Sequence, residues 1–528
     1  MKLNRKILIV TGLLAEDTIK KQIKKSQVKA DVLVLPIQVA ALLTPSYILR
    51  KLREFNVKDF NLILVPGMIK GSVAEISKSL GVAVFKGPKH AVDLPLILEN
   101  LDKLKLSTVK PACELLDEEL KKVSLKKCWE ATVQPLKFKD KGFPVGFPGK
   151  RVWISSRLPP IIMAEVVDAS SLPDSEVLGK AKQYIKGGAE IVDVGMETGG
   201  GKPEKAYKLV KFLVKKLNKP ISIDSVDVDE IRAAVKAGVN LILSVNSENI
   251  KKLSKDSRVL KTPVVVIPAD KDEYIPENYV ERVKTLEENI NLARKFGFNY
   301  LIADPILNIN NFVDSILGYF EFRKRNPNFP VLFGAGNITE LVDADSQGLN
   351  FLLTLLAFEV KANILLTTEA SNKTKGSIFE VSTAIKMILA AKNLQIPPKN
   401  LGLDLLRFKE KVRKDEDMLK EELKHWRFKA SKVKVNMEEG DYTRDPKGYF
   451  KVYVDRERGK IVVFYFTYDK HKSPLIFEGS NPVALGRRIV KEGLISLLDH
   501  AVYLGSELQK ANIALKTGRS YLQDFDVF

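Results

Sequence analysis

The sequence predicts an α/β protein: a central (β/α)8 TIM barrel, an N-terminal Rossmann-like α/β domain and a small C-terminal α+β domain. Three observations predict it. Eight short apolar runs, most followed by a stretch of helical period, repeat between residues 155 and 395, which matches the size and rhythm of a closed βα barrel. Four further strand-then-helix units fill residues 1–130, and after residue 396 the pattern changes to alternating hairpin strands and amphipathic helices.

Residues 7–10, 31–35, 62–65 and 82–85 read as the N-terminal strands, and helical patterns between them imply a parallel sheet wrapped by helices. Lys2, Arg5 and Lys6 precede the first run, but it ends at Thr11-Gly12, too soon for the apolar region of a signal peptide. Gly12, Gly67 and Gly87 follow strands as ordinary turn residues. Residues 131–154 carry Gly142, Pro144, Gly146, Pro148 and Gly149, which interrupt both periods and read as a linker.

The barrel strands are expected at 161–167, 190–194, 220–224, 241–245, 263–267, 300–304, 331–334 and 363–366. Helices are expected at 175–186, 204–217, 228–237, 281–296, 311–325, 347–360 and 377–392, with the fourth, near 247–255, the weakest. In the C-terminal domain, 396–528, a charged helix at 403–426 precedes hairpin strands at 450–454 and 461–467 and helices at 482–498 and 501–515. Its aromatics Tyr449, Phe450, Tyr453, Phe464, Tyr465 and Phe466 are expected in the core rather than as stacking platforms for nucleic acid.

Composition removes several function classes. With 45% hydrophobic and 28% charged residues the 528-residue chain is an ordinary globular protein. Two cysteines and four histidines leave no material for a disulfide framework or a cysteine-rich zinc site, so a cytoplasmic setting is expected. No run reaches the length of a membrane span, so no membrane partner is expected. The charge of +20 comes from lysines mixed with acidic residues throughout, which reads as solvated helix faces and not as a nucleic-acid stripe.

A βα barrel carries its chemistry where the strands end. Those positions hold Asp168, Asp193, Glu197, Asp224, Asn246, Asp304, Asn337 and Glu369. A lone Asp there is often a helix cap; convergence from seven loops is not. No histidine or cysteine lies between residues 129 and 424, which excludes a Cys nucleophile, a Ser-His-Asp triad and a His-bound zinc at this mouth. An acceptor-rich, all-oxygen cavity suits a ligand with several N–H donors, such as a pterin, or a hard cation such as Mg2+. Asp224 and Asp304 are the first choices for the pterin donors. The loop Gly199-Gly200-Gly201-Lys202 before Pro203 offers amides, a helix N-terminus and a cation to an anion, although its spacing is not that of a nucleotide P-loop.

Met163-Ala-Glu-Val-Val-Asp-Ala-Ser-Ser-Leu-Pro-Asp-Ser175, Gly188-Ala-Glu-Ile-Val-Asp-Val-Gly-Met-Glu-Thr198, Pro220-Ile-Ser-Ile-Asp-Ser225 and Tyr300-Leu-Ile-Ala-Asp-Pro305 occur in the order and rough spacing of the pterin-binding barrels. The chain resembles the archaeal dihydropteroate synthase-related proteins of that superfamily, which also contains methyltetrahydrofolate:corrinoid methyltransferases. The resemblance implies that Asp224 and Asp304 hold the pterin, assisted by Asn246 or a neighbour on the fourth loop. It places Asp193 near the reactive methylene, Glu197 beside it, and Asp168 at the metal or diphosphate position, with Mg2+ as the accompanying ion. It implies a transferase joining a dihydropterin methyl diphosphate to an arylamine in folate or methanopterin biosynthesis, and a homodimer is compatible with it. The chain also departs from the synthases. Glu197-Thr-Gly-Gly-Gly replaces their Ser-Thr-Arg-Pro loop, Thr367-Thr-Glu-Ala-Ser replaces their final arginine and histidine, and Gly334-Ala-Gly-Asn337 resembles the methyltransferase loop. A synthase would have to rely on Mg2+, Lys202, Lys373 or Lys375 for its leaving group. The alternatives are a methyl-tetrahydropterin:corrinoid methyltransferase, with Asn337 at the pterin, and a non-catalytic pterin-binding protein.

Overall fold

The computed structural model describes residues 6–102, 104–133, 142–155, 158–270, 274–409, 431, 433, 444–469 and 471–528. The chain divides into two compact units, residues 1–427 and 428–528.

The first unit begins with a parallel sheet in the order β2-β1-β3-β4, from β1 Ile7–Gly12, β2 Asp31–Leu35, β3 Leu62–Val65 and β4 Ala83–Lys86. Alternation splits these strands between two apolar layers. Leu8, Val10, Ile63 and Val65 meet Ile48, Leu52 and Ile76 of α2 Pro45–Arg53 and α3 Ala74–Leu80. Ile7, Ile9, Leu62 and Leu64 meet Ile19, Ile97 and Leu116 of α1 Glu16–Lys25, α4 Leu94–Glu99 and α5 Ala112–Val133.

Residues 142–154, expected as part of a linker, form an antiparallel hairpin of β5 Phe143–Val145 and β6 Val152–Ile154. Val145 and Ile154 are buried in one cluster with Ile161, Met163, Ile191, Leu241, Ile302, Leu332 and Ile364, the apolar filling of the barrel. The glycines and prolines that mimic a linker make the tight turn of this plug.

The barrel strands are β7 Ile161–Val166, β8 Ile191–Gly195, β9 Ile221–Asp224, β10 Leu241–Val245, β11 Val264–Val266, β12 Leu301–Ala303, β13 Leu332–Gly334 and β14 Ile364–Thr368. They pair in parallel in the order β12-β11-β10-β9-β8-β7-β14-β13, and the Ala303–Val331 bridge joins the two ends. Around them lie α6 Asp174–Gly187, α7 Pro203–Lys216, α8 Val228–Ala237, α9 Ile250–Leu253, α10 Ser257–Lys261, α11 Tyr279–Lys295, α12 Phe312–Arg325, α13 Gly336–Thr339, α14 Ser346–Glu359 and α15 Ser377–Leu394. The weak fourth helix is the pair α9 and α10, divided where Asp256 accepts from the amide of Arg258 and starts a new turn. Cys128, Met387, Ala390, Ala391 and Leu401 form one buried cluster between α5 and α15, and Ser124 Oγ donates to the Leu401 carbonyl at 2.9 Å.

The second unit is an antiparallel sheet of β15 Tyr449–Asp455, β16 Lys460–Phe466 and β17 Leu475–Gly479, with α16 Pro482–Lys491 and α17 Leu498–Thr517 on one face. The sequence reading missed β17, and most of the helix expected at 403–426 lies outside the described residues. The aromatics divide by the strand period of two. Phe450 and Tyr465 are buried as expected; Tyr449 and Tyr453 are exposed on the other face with Phe464 and Phe466 at its partly covered centre. No helix among the described residues is long and apolar enough to cross a membrane.

Candidate functional site

Strand parity builds the floor of the site. Ile161 and Met163 point into the barrel, so Glu165, two residues on, points the same way at the top of β7. On β8, Ile191 is inward and Asp193 follows it; the ladder sets Glu165 opposite Asp193 and Gly195 opposite Asp224. One oxygen from each of Glu165, Asp193 and Asp224 lies within 4.8 Å of the others. Gly195 is required here, since a Cβ on it would run into the Glu165 carboxylate and stand 3.2 Å from the Val166 carbonyl.

Above this floor is a cleft of about 1040 Å3 over the loops that follow β7 to β10. Glu165, Asp168, Glu197, Gly199, Gly200 and Asp224 line it, and Asn249, Arg232, Lys252 and Lys255 form one wall. Asp193 is fully buried beneath, and among the described residues only weak contacts from the Ser222 hydroxyl and the Val194 amide offset its burial.

Removal from water and mutual repulsion raise these acids. Burial, then the charges of Asp224 and Asp168, pushes Glu165 up to about 8. Burial followed by Asp224 and Glu165 holds Asp193 well above the carboxylate range. Asp224 rises to about 7 through burial and then the charge of Asp304. Asp304 rises to about 6 by burial, opposed by hydrogen bonds from Tyr319 Oη at 2.7 Å and the Ile306 amide at 2.8 Å, both to Oδ1. Asp304 is therefore close enough for its charge to act on Asp224, although only Asp224 of the two lines the cleft.

The family described as pterin binding enzyme matches residues 168–342. Two further family matches flank it, one described as a family of unknown function, DUF6513, over residues 5–89, and one as PterinBD-DUF4346 over residues 444–524. Protein MJ0107 of Methanocaldococcus jannaschii is 36% identical across 99% of both chains. This chain belongs to the pterin-binding enzyme superfamily. Among solved structures, dihydropteroate synthase of Yersinia pestis, with a pterine-sulfa conjugate, is 16% identical and covers 47% of this chain and 99% of its own, with a TM-score of 0.37. That of Xanthomonas albilineans, in complex with 7,8-dihydropteroate, is 19% identical over 47% of this chain and 98% of its own, with a TM-score of 0.36.

In this member of the superfamily the residues expected at the mouth take several different places. Asp168, expected as the metal ligand, lines the cleft in a left-handed backbone conformation, but it is not one of the three acids whose oxygens converge. On the fourth loop, Asn246 Oδ1 accepts from the amides of Glu248 and Asn249 and shapes the turn, and its neighbour Asn249 is the one that lines the cleft. Asn337, on α13, donates to the Leu307 carbonyl at 3.2 Å and is not part of the cleft lining. Glu369 accepts from the Ile378 amide and caps α15.

The anion loop also differs from expectation. Gly199, Gly200 and Gly201 all have positive φ, which explains three consecutive glycines. Lys202 pairs with Glu197, which also accepts from Ser171, and the Lys202 amide donates to buried Glu230 at 2.9 Å. Carboxylates of the protein itself thus take the charge and the amide expected for a bound anion. Glu165 is the residue the sequence reading overlooked. Its signal was present, as an acid at the inward parity of an otherwise apolar strand.

Proposed function

We propose that the cleft is the active site of a pterin-dependent transferase. The observation that supports this reading is a set of buried acceptors at the strand ends: Asp224 lines a cavity with room for a bicyclic ring and its substituent, and Asp304, outside the lining of that cavity, lies close enough for its charge to act on Asp224. A pterin's amino group and adjacent ring N–H are paired donors, and each charge-assisted bond to a carboxylate contributes about 1.5–3 kcal/mol. Tyr319 and the Ile306 amide hold Asp304 in place from behind.

Two transfers fit a pterin in this position. The synthase reaction joins the pterin methylene to an arylamine nitrogen, with loss of diphosphate. It needs positive charge at the mouth, but Lys202 is paired with Glu197, Lys373 lies 2.9 Å from exposed Asp343, and the helix amide is taken by Glu230. Methyl transfer from a methylated tetrahydropterin to the cobalt of a corrinoid partner sheds no anion. The carbon–nitrogen pair stays on the pterin nitrogen, which takes up a proton. The engagement of Lys202 and Lys373 favours methyl transfer, while Lys255, which lines the cleft and has no ion pair among the described residues, keeps the synthase reaction as the direct rival. Incubation with a dihydropterin methyl diphosphate and an arylamine, against a methyl-tetrahydropterin and cob(I)alamin, separates them. Demethylation of the pterin in the second mixture alone is the expected result; pteroate-type product in the first would reverse the order. Pterin binding without turnover in either mixture would make the chain a carrier.

The Mg2+ expected at Asp168 has no support from the arrangement there, because Asp168 is not in the group of convergent acids.

A further inference from the structure

The sheet of the C-terminal unit has one covered face and one bare one. Phe450, Val452, Val463 and Tyr465 point toward α16 and α17 and are buried there. The alternate residues point the other way, Tyr449, Lys451 and Tyr453 on β15 and Phe464 and Phe466 on β16. The register sets Tyr449 opposite Phe466 and Lys451 opposite Phe464. Tyr449 and Phe466 stack at 5.2 Å with their planes 13° apart, Phe464 continues the row at 6.3 Å and 18°, and Tyr453 meets Phe464 edge-on at 5.6 Å. The four rings make one strip across two strands, and Tyr468 extends it 6.1 Å from Tyr449. Tyr449 is 39% exposed, Tyr453 50% and Tyr468 53%. Aromatic side chains left bare in a contiguous patch mark an interaction site.

Area and charge together select the occupant. β15 has seven residues and the sheet three strands, so the face is about 24 Å by about 14 Å, roughly 340 Å2. A stable protein interface buries about 800 Å2 per partner, so this face alone is too small to hold a second copy of the chain. The charge is positive. Lys451 stands between the two exposed tyrosines of β15; Arg444 lines a cavity of about 270 Å3 with Tyr449 and Tyr468, and Lys472 lies in the turn at that same end of the strip. None of these three cations makes an ion pair among the described residues. The acids at this end are engaged, Asp445 by the amides of Lys447, Ser496 and Leu497 and Asp469 by the amide of His471. At the opposite end Arg458 and Lys460 neutralise Asp455 and Glu478. A single strand of nucleic acid meets both features, because its bases stack on aromatic rings while its phosphates follow the cations.

We propose that the outer face of the C-terminal sheet binds single-stranded nucleic acid, with bases on the strip from Tyr449 to Tyr453 and phosphates at Lys451, Arg444 and Lys472. A duplex keeps its bases stacked on one another and has none to offer the rings, so the site discriminates against it. The site lies in the second unit and does not depend on the pterin reading.

The test is fluorescence anisotropy of a labelled thymidine dodecamer titrated with the full chain at low salt, beside the same strand annealed to its complement. Saturable binding of the single strand is expected, weakening as NaCl rises, with the duplex bound at least about tenfold less tightly. Tyr453→Ala should weaken binding by about fivefold or more, and Tyr453→Phe, which keeps the stacking ring, should stay within about twofold of wild type. Lys451→Ala should weaken it and lower the salt slope by about one. Tyr453 and Lys451 are exposed, so the melting temperatures of these variants should stay close to that of the wild type, which separates loss of the site from loss of the fold. Absence of saturable binding overturns the proposal, and so does equal affinity for the duplex. Wild-type affinity in both Tyr453→Ala and Lys451→Ala overturns it too, because the strand would then be held by lysines elsewhere on the chain. No pterin is present, so each of these failures leaves the pterin reading standing.

Discussion

Asp304→Asn probes the pterin reading with little disturbance of the fold. Both hydrogen bonds that hold Asp304, from Tyr319 and the Ile306 amide, fall on Oδ1, and an asparagine keeps that oxygen. What changes is the other end, where an acceptor becomes an N–H donor pointing at the donors of the ligand. Loss of one charge-assisted bond costs about 1.5–3 kcal/mol, or roughly a 10- to 150-fold rise in Kd at 25 °C. The assay is calorimetric titration of the full chain with a reduced pterin at pH 7.5. A second signature is the pH profile. Asp304 is raised to about 6, and only its ionised form accepts from the ligand, so wild-type affinity should climb as pH rises through 6. The variant should lose that limb and keep the one belonging to Asp224, near 7. The raised pKa also means that the folded state holds a proton the unfolded chain releases sooner, so ionising Asp304 lowers stability as pH climbs from about 4 to 6. The asparagine variant should therefore melt no lower than wild type above pH 6. A Kd within about twofold of wild type, with an unaltered profile, refutes the assignment of Asp304 to the pterin.

Other perturbations follow from the same geometry. Tyr319→Phe removes the 2.7 Å donor that stabilises ionised Asp304; the pH limb near 6 should move upward, and a limb that stays in place would show that the tyrosine does not tune this acid. Gly195→Ala puts a methyl group against Glu165 and the Val166 carbonyl; it should destabilise the chain by about 1–3 kcal/mol in urea unfolding, and a neutral result would mean that Glu165 does not cross β8. Lys202→Ala should leave affinity for inorganic diphosphate within about twofold, because Lys202 is paired with Glu197; a tenfold loss would restore the glycine loop as an anion site. In the C-terminal unit, burial acts to raise Asp445, but the amides of Lys447, Ser496 and Leu497 and the Ser496 hydroxyl outweigh it and hold the group well below the carboxylate range. That stabilisation is present above the unfolded pKa near 4 and is lost as pH falls. Asp445→Ala should therefore cost about 3 kcal/mol near neutral pH and progressively less in acid, as measured by urea melts across pH; a cost that does not vary with pH would contradict the ionised clasp.

The order of elements was legible because each barrel strand is an apolar run of a few residues beside a helix of period 3.6, and local pattern suffices for that. Asp193, Asp224 and Asp304 were legible as acids at strand ends for the same reason. Residues 142–154 were not, since a Pro- and Gly-rich segment looks like a linker until the open base of a barrel gives its Val145 and Ile154 something to cover. Glu165 was hidden inside a strand read for its apolar character.

Residue types and their periods, taken alone, determined a βα barrel with acids at its mouth and without histidine or cysteine. The tertiary structure decided which of those acids meet, that Asp193 is fully buried beneath the cleft, and that Lys202 is tied to Glu197. The physical reason is that electrostatics depends on distance and burial. Those quantities exist only once strands far apart in the chain close into a cylinder.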